Sequence, residues 1–298
     1  MKVIVTGISG FIGRNLANYL KPCYDVIGIT RKISNFNLIK DIEYRESDYS
    51  VASLTNIFKE IEADAIVNLA SQKAGKQEQE GTQGYMDSIS VLENVILSAN
   101  SCAIKNIVNI SSRCVYGNYT DRGFKESDEP HPINKYGVMK IWGETLSEYY
   151  NRTAGMKIKN LRLSQVVGFP MNDKFMFSTF LKKAQNNETL DIYGKGNGKR
   201  DYIYMKDVCT AIECAIKHSE QFGIYNIGSG IAISNLEVAE KMVRLFKSSS
   251  KINIIEDSPK DESRIVLDVT KAKNELDFAC KYKMDDILYD IMIQDKRK

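Results

Sequence analysis

Histidine is almost missing from this chain: in 298 residues only His131 and His218 occur, and no two of the six cysteines stand in a Cys-x-x-Cys spacing. No zinc site is therefore expected. The scattered Cys23, Cys102, Cys114, Cys209, Cys214 and Cys280 read as reduced thiols of an intracellular protein, not as a disulfide framework. An excess of one charge is missing too. The 41 basic and 38 acidic residues leave a formal net charge of +3, dispersed along the chain. That balance offers no argument for nucleic acid or a membrane surface as partner. No apolar run reaches membrane-spanning length, and Met1-Lys2-Val3-Ile4-Val5 is too short for a signal peptide. A cytoplasmic location is expected. Internal repeats and low-complexity linkers are absent as well.

What is present is an ordinary globular composition, 43% apolar and 27% charged. The length allows one large α/β unit or two interleaved domains. Val3 to Val5 form a short β-branched run, and Phe11 to Lys21 carry helical apolar spacing up to Pro22. Further strands are expected at Asp25–Thr30, Ile42–Arg45, Ala65–Ala70 and Ile107–Ile110, with a helix from about Val51 to Ile61. Alternating strands and helices predict a parallel sheet covered on both faces, and the unbroken apolar character of the strands agrees. The polar stretch Ser71 to Gly84 is expected to be the most mobile part of the first half. After about Ser164, shorter elements and polar loops such as Gly194 to Gly198 predict a smaller unit.

Between the first strand and the first helix lies Thr6-Gly7-Ile8-Ser9-Gly10-Phe11-Ile12-Gly13. Gly7 permits a tight turn, Gly10 lets the backbone approach a pyrophosphate, and Gly13 allows close helix–strand packing. The helix N-terminus offers free N–H groups to phosphates. The expected fold is thus α/β, a doubly wound parallel Rossmann sheet with a smaller α/β substrate-binding domain. Residues 1–165 would bind the dinucleotide with a returning segment near 201–230, and 166–200 with 231–298 would bind substrate. At the end of the second strand stands Thr30-Arg31-Lys32 where an acid would hold the ribose of NAD. Donors and positive charge there suit a 2′-phosphate, so NADP(H) is favoured, with NAD(H) possible.

Tyr136-Gly-Val-Met-Lys140 places a phenol and an ammonium one helical turn apart. A free tyrosine is a poor base at neutral pH; the lysine and an oxidised nicotinamide would stabilise its phenolate. Upstream, Asn109-Ile110-Ser111-Ser112 ends a strand in hydroxyls that can bridge the tyrosine and a substrate oxygen. Ser111 is expected to cap its own backbone as a turn serine.

These segments together resemble the extended short-chain dehydrogenases/reductases of the nucleotide-sugar epimerase/dehydratase family, over nearly the whole chain to about Tyr289. Thr6 to Gly13 matches its glycine motif, Asp48 its adenine-contacting aspartate, and Asn68-Leu69-Ala70-Ser71 the segment beside the cofactor. Ser111 to Gly117 is similar to Ser-Ser-x-x-Val-Tyr-Gly, which makes Ser112 the catalytic hydroxyl beside Tyr136 and Lys140. Arg162-Leu-Ser-Gln165, Tyr193-Gly194, Arg200-Asp201 and Tyr225-Asn-Ile-Gly-Ser-Gly230 resemble later family segments. With the strand-end reading of Thr30 and Arg31, the residues expected at the cofactor are Thr6, Gly7, Gly10, Phe11, Ile12, Gly13, Thr30, Arg31, Asp48, Leu69, Ala70, Tyr136 and Lys140, the last on the ribose. The resemblance implies Ser112, Cys114, Gln165, Tyr193 and Arg200 at the substrate, with Arg200 on the diphosphate and no metal.

Two departures narrow the expectation. The dehydratase branch carries Asp-Glu after the hydroxyl as acid and base for water loss, and here those positions are Arg113 and Cys114. An arginine usual in the late region has no counterpart, for which Lys260 or Arg264 are the candidates. The leading expectation is an NADPH-dependent 4-ketoreductase of a nucleotide-linked keto sugar. A nucleotide-sugar 4-epimerase with bound NAD is the rival, and a non-catalytic NADP-sensing protein the remote one. Amphipathic helices at Met86 to Ala99 and after Tyr136 suggest a homodimer.

Overall fold

The computed structural model describes residues 1–35, 37–72, 81–170, 175–256 and 261–295. Most of the stretch expected to be mobile, 73–80, lies outside the described residues, as does Lys260. In chain order the first half supplies β1 (Lys2–Thr6), α1 (Phe11–Leu20), β2 (Asp25–Thr30), β3 (Glu43–Glu46), α2 (Val51–Ile61), β4 (Ala65–Asn68), α3 (Gln83–Ser101), β5 (Asn106–Ser112), α4 (Lys135–Ala154) and β6 (Lys157–Leu163). The second half begins with β7 (Gln165–Val167), α5 (Met176–Gln185), β8 (Leu190–Tyr193), β9 (Lys199–Tyr204), α6 (Met205–Lys217) and β10 (Gly223–Ile227). It ends with β11 (Ala232–Ser234), α7 (Asn235–Leu245), β12 (Ile252–Ile255), β13 (Arg264–Ile265), α8 (Thr270–Leu276) and α9 (Met284–Asp295).

Seven strands form one parallel sheet in the order β10-β6-β5-β4-β1-β2-β3. The order reverses between β1 and β4, which opens a crevice at their C-terminal ends. Side-chain alternation explains the two-faced burial. Val3, Val5, Val26, Val67 and Val108 pack on one face with Leu16 and Leu20 of α1 and Ile212 and Ile216 of α6. Ile4, Ile27, Ile66 and Ile107 pack on the other with Leu54 and Phe58 of α2 and Leu92 and Ile96 of α3.

Local chemistry sets the boundaries. The Ser50 side chain caps α2 by accepting from Ser53 N–H at 3.2 Å, and Glu62 leaves the helix in the left-handed region at φ 52°. The strand expected to run to Ala70 ends at Asn68. There the backbone N–H groups of Leu69 (3.2 Å) and Ala70 (3.3 Å) turn to the Thr6 hydroxyl instead of a ladder partner. Conversely, β5 runs two residues beyond Ile110, because Ser111 and Ser112 stay in register with Arg162 and Leu163 of β6.

In the second half, β9 pairs with β7, β11 and β13, and β8 with β12. Phe177, Phe180, Leu190, Tyr202, Val238, Met242, Ile287 and Ile291 make a separate core there. Of the segment near 201–230, only β10 joins the main sheet, with α6 packed on its face; β9 stays in the smaller unit.

A row of buried amides crosses the middle of the main sheet. Thr6 hydroxyl donates to Asn68 Oδ1 (2.7 Å), Asn68 Nδ2 to Asn109 Oδ1 (3.0 Å), and Asn109 Nδ2 to Asn160 Oδ1 (2.7 Å). Each pair is in register on adjacent strands, so the row ties four strands beneath the ends that carry the site. Replacing Asn109 by Leu would orphan the Asn68 amide in an apolar sheet. The expected cost is about 1–3 kcal/mol, to be read as a lower urea midpoint at unchanged slope; an unchanged midpoint would make the row a bystander.

Candidate functional site

The glycine loop is shaped by close approaches that side chains would block. Gly7 sits at φ 62°, and a Cβ there would lie 2.7 Å from the Leu69 carbonyl carbon. A Cβ on Gly13 would lie 2.6 Å from the Gly7 oxygen. Gly10 begins α1 without a side-chain cap, so that helix end keeps N–H groups to offer. Phe11 and Ile12 pack partly into the core behind it.

An open cleft of about 350 Å³ runs past this loop, lined among others by Gly7, Gly10, Thr30, Arg31, Lys32, Leu69 and Ala70. Thr6 is fully buried and contributes by fixing Leu69 and Ala70 through its hydroxyl. Asp48 stands exposed beside the cleft. The Ser50 N–H that it accepts at 2.8 Å holds its carboxyl below the usual range. Its neighbour Tyr49 is the residue that sequence reasoning missed. Its hydroxyl accepts Gly7 N–H (3.2 Å) and donates to Ile29 O (3.2 Å), clamping the loop to β2, and Arg31 lies 5.8 Å from its ring centre. An aromatic beside Asp48 was the only signal. The glycine cradle, the uncapped helix end and the cations at the far end of β2 together fit a dinucleotide.

At the neighbouring strand end, β5 and α4 meet. The Asn134 side chain caps α4 by accepting Gly137 N–H at 2.8 Å. Gly137 lies against the Cys114 carbonyl so closely that a Cβ would stand 2.1 Å from its oxygen. That contact lets the first turn of α4 reach the end of β5, and the Ser112 hydroxyl hydrogen-bonds the Tyr136 phenol. Lys140 Nζ donates to Ile110 O (2.8 Å) and to Ser71 Oγ (3.2 Å), 5.4 Å from the Tyr136 ring centre. Burial pushes the Tyr136 phenol up, while the Ser112 hydrogen bond and the Arg113 charge pull it back. Burial draws the Lys140 ammonium down to about 8, against the pull of Glu144.

Ser111 does not cap its own backbone, as a turn serine would. Its hydroxyl donates to Glu144 on α4, which also accepts Arg162 Nε (2.9 Å) and Nη2 (2.7 Å) from β6. It is Ser112 whose oxygen takes a local N–H, from Cys114 at 3.2 Å. Arg162 continues to the Tyr116 hydroxyl at 2.6 Å.

Among the residues expected at the substrate, Gln165 Oε1 accepts Arg113 Nη2 at 3.0 Å, and half-buried Cys114 sits between Ser112 and Gly137. Arg200 pairs with Asp261 at 3.0 Å and donates to Ser263. Tyr193, at the end of β8, is 63% exposed and makes no hydrogen bond to the others. Arg264 is spent on the carbonyls of Thr120 (2.7 Å) and Arg122 (3.1 Å).

A doubly wound sheet with a glycine cradle at its switch point and a Ser–Tyr–Lys cluster at the next strand end defines a nicotinamide-dependent enzyme of the extended short-chain dehydrogenase/reductase class. The chain belongs to the NAD dependent epimerase/dehydratase family, whose model matches residues 3–228. Its fold is similar to the crystal structure of UDP-N-acetylglucosamine 4-epimerase from Bacillus cereus. The TM-score is 0.89 at 30% identity, covering 99% of this chain and 96% of that one. In sequence it is 28% identical over 286 residues to a low-salt glycan biosynthesis protein of Haloferax volcanii, with 92% of each chain covered. It is 26% identical to dTDP-4-dehydro-6-deoxyglucose reductase of Escherichia coli, covering 95% and 94%. No helix among the described residues is long and apolar enough to cross a membrane.

Two outcomes follow from this geometry. Gly137→Ala forces α4 off the Cys114 carbonyl and away from Ser112. Turnover is expected to fall at least about 100-fold, the scale of a 1 Å misplacement, in a protein that still binds its dinucleotide; near-normal turnover would show that the contact is not needed. For pH, the ammonium form of Lys140 is present below about 8 and lost above it. The kcat/KM profile should therefore fall on the alkaline side with a midpoint near 8. A flat profile to pH 10 would separate Lys140 ionisation from the reaction.

Proposed function

We propose that this enzyme interconverts alcohol and ketone at C4 of a nucleotide-linked hexose, as a 4-epimerase that retains its nicotinamide cofactor. The observation that carries the reading is the junction of Ser112, Tyr136 and Lys140, followed by Arg113 and Cys114 where water loss would need an acid and a base. That set suits proton transfer at one oxygen and nothing further. The likeness over 99% of the chain to a UDP-N-acetylglucosamine 4-epimerase supports epimerisation over the ketoreductase expected from the sequence. The family's NAD-dependent description weighs for NAD as cofactor over the NADP(H) expected from Thr30-Arg31-Lys32.

A nicotinamide dinucleotide held in the glycine-loop cleft would supply hydride transfer to and from C4. Tyr136 removes the proton from the C4 hydroxyl and gives it back, with Ser112 holding the same oxygen by a hydrogen bond. Lys140 holds the phenolate electrostatically and reaches toward the ribose. Gly7, Gly10, Gly13, Leu69 and Ala70 shape the dinucleotide cleft. Arg200 anchors the substrate diphosphate, with Gln165 and Cys114 on the sugar and Tyr193 at the rim. Binding energy from the diphosphate end fixes the sugar for reaction. Exposed Met86 and Leu97 on α3, with Val138, Trp142 and Tyr149 on α4, support pairing of two copies through these helices.

A second reading, the NADPH-dependent 4-ketoreductase, is favoured by Arg31 and Lys32 in the cleft wall and by the lack of an acid at the end of β2. Denaturing the purified protein and weighing the released dinucleotide separates the two. Stoichiometric NAD together with C4-epimer product supports the epimerase; an empty protein that prefers NADPH and consumes it overturns it. In either case Tyr136→Phe should lower turnover by about 10²–10⁴-fold with cofactor binding kept.

A further inference from the structure

Three cations of the site have their charge met inside the protein or by backbone. Arg200 pairs with Asp261, Arg162 with Glu144, and Lys140 donates to the Ile110 carbonyl. Arg113 differs. Among the described residues it forms no ion pair, and its one hydrogen-bond acceptor is the neutral amide oxygen of Gln165 at 3.0 Å. The carboxylate whose charge it feels, Asp201, is fully buried and committed elsewhere. It accepts Ser229 N–H (2.8 Å) and hydroxyl (2.7 Å), Gly230 N–H (3.2 Å) and Leu267 N–H (3.2 Å). Burial draws the Arg113 pKa down, and the charge of Arg200 draws it further. A half-buried guanidinium without an anion is costly unless something else brings the charge.

Its position says where that charge arrives. Arg113 follows Ser112 directly at the end of β5, and its guanidinium reaches Gln165 on β7, the strand that pairs with β9, where Arg200 stands. The guanidinium therefore runs from the strand end that carries Ser112 toward the unit that carries Arg200, the cation assigned to the diphosphate. What lies there in a bound nucleotide sugar is the sugar ring beside the reacting carbon. Gln165 takes Nη2, leaving Nη1 and Nε without an acceptor among the described residues and open to a planar two-oxygen partner.

We infer that Arg113 is a specificity residue that binds a carboxylate carried by the sugar, and that the substrate is a nucleotide-linked hexuronate. This rests on the reading of the site as a nucleotide-sugar enzyme. Position C5 of a hexose adjoins C4, so a carboxylate borne on it reaches Arg113 while the C4 oxygen meets Ser112 and Tyr136. Neutral hexoses present only a hydroxymethyl there and leave the guanidinium unpaired.

The test compares UDP-glucuronate with UDP-glucose on the cofactor-loaded protein, measuring both C4 product and calorimetric binding. Wild-type protein should favour the uronate by about 10–100-fold, the scale of a charged hydrogen bond. Arg113→Gln should collapse that ratio toward one, and Arg113→Lys should keep part of it, since charge without the fork remains. A ratio within one protein is independent of how much of it is folded, so partial misfolding does not blur the result. A wild type that prefers the neutral sugar overturns the inference. So does an Arg113→Gln protein that loses both ligands equally, because the guanidinium would then be reading the diphosphate. If uronate binding depends on Arg113 but no C4 product forms, the inference stands and the epimerase reading falls. If neither ligand binds wild-type protein, both fall.

Discussion

The buried carboxylate of Glu144 is what the arrangement of this site depends on. It sits on α4 one turn beyond Lys140, and it takes the hydroxyl of Ser111 and two N–H groups of Arg162. Through those bonds one side chain joins α4, β5 and β6, the three elements whose ends must agree. Ser112 belongs to β5, while Tyr136 and Lys140 belong to α4. Sliding α4 by a fraction of a turn would break the pair as well as the triad. Such a pair contributes little net stability, since desolvating two charges offsets most of their attraction. Its value is geometric. An apolar replacement of similar volume would tolerate several helix positions, whereas a forked guanidinium on a carboxylate tolerates few.

The same burial that fixes the geometry also sets the resting protonation. Tyr136 is pushed up and Lys140 down, each toward its neutral form. With Lys140 drawn only to about 8, the ammonium survives at neutral pH and the phenol keeps its proton. The protein alone therefore holds a proton donor, not a base. Positive charge added beside the phenol shifts that balance toward phenolate, which an oxidised nicotinamide does and a reduced one does not. Proton affinity at Tyr136 would thereby follow the redox state of a nicotinamide held in the cleft, as the proposed epimerisation requires.

The sheet and its helices were legible because they are local and periodic. Val51 to Ile61 carries both its cap, Ser50, and its apolar spacing, and the helix spans those residues. The glycine turn and the Tyr-x-x-x-Lys helix announce themselves for the same reason. What stayed hidden has partners distant in sequence. Asn68 meets Asn109 41 residues on, and Tyr49 meets Gly7 42 residues back. No spacing rule pairs them, because only the strand order β1-β4-β5 brings them level. Gly137 reads as a weak helix residue until the Cys114 carbonyl is seen against it. Ser111 and Ser112 are neighbours of one type, and the pleat alone sends one to Glu144 and leaves the other at Tyr136.

Arg113 and Tyr136 are coupled through charge, and the coupling changes with what is bound. In the protein alone the guanidinium lowers the phenol's proton affinity. An anion set against Arg113 cancels most of that influence, since a close ion pair presents little net charge to a group several ångströms away. The phenol then depends on Ser112, Lys140 and the cofactor for its activation. A substrate that neutralises Arg113 would make catalysis more sensitive to the Lys140 ammonium, and a neutral substrate would leave Arg113 to share that task. On the uronate reading, the position after Ser112 would govern two quantities at once, the group that the sugar carries and the proton affinity of the phenol. An acid at this position would raise the phenol, whereas the guanidinium lowers it.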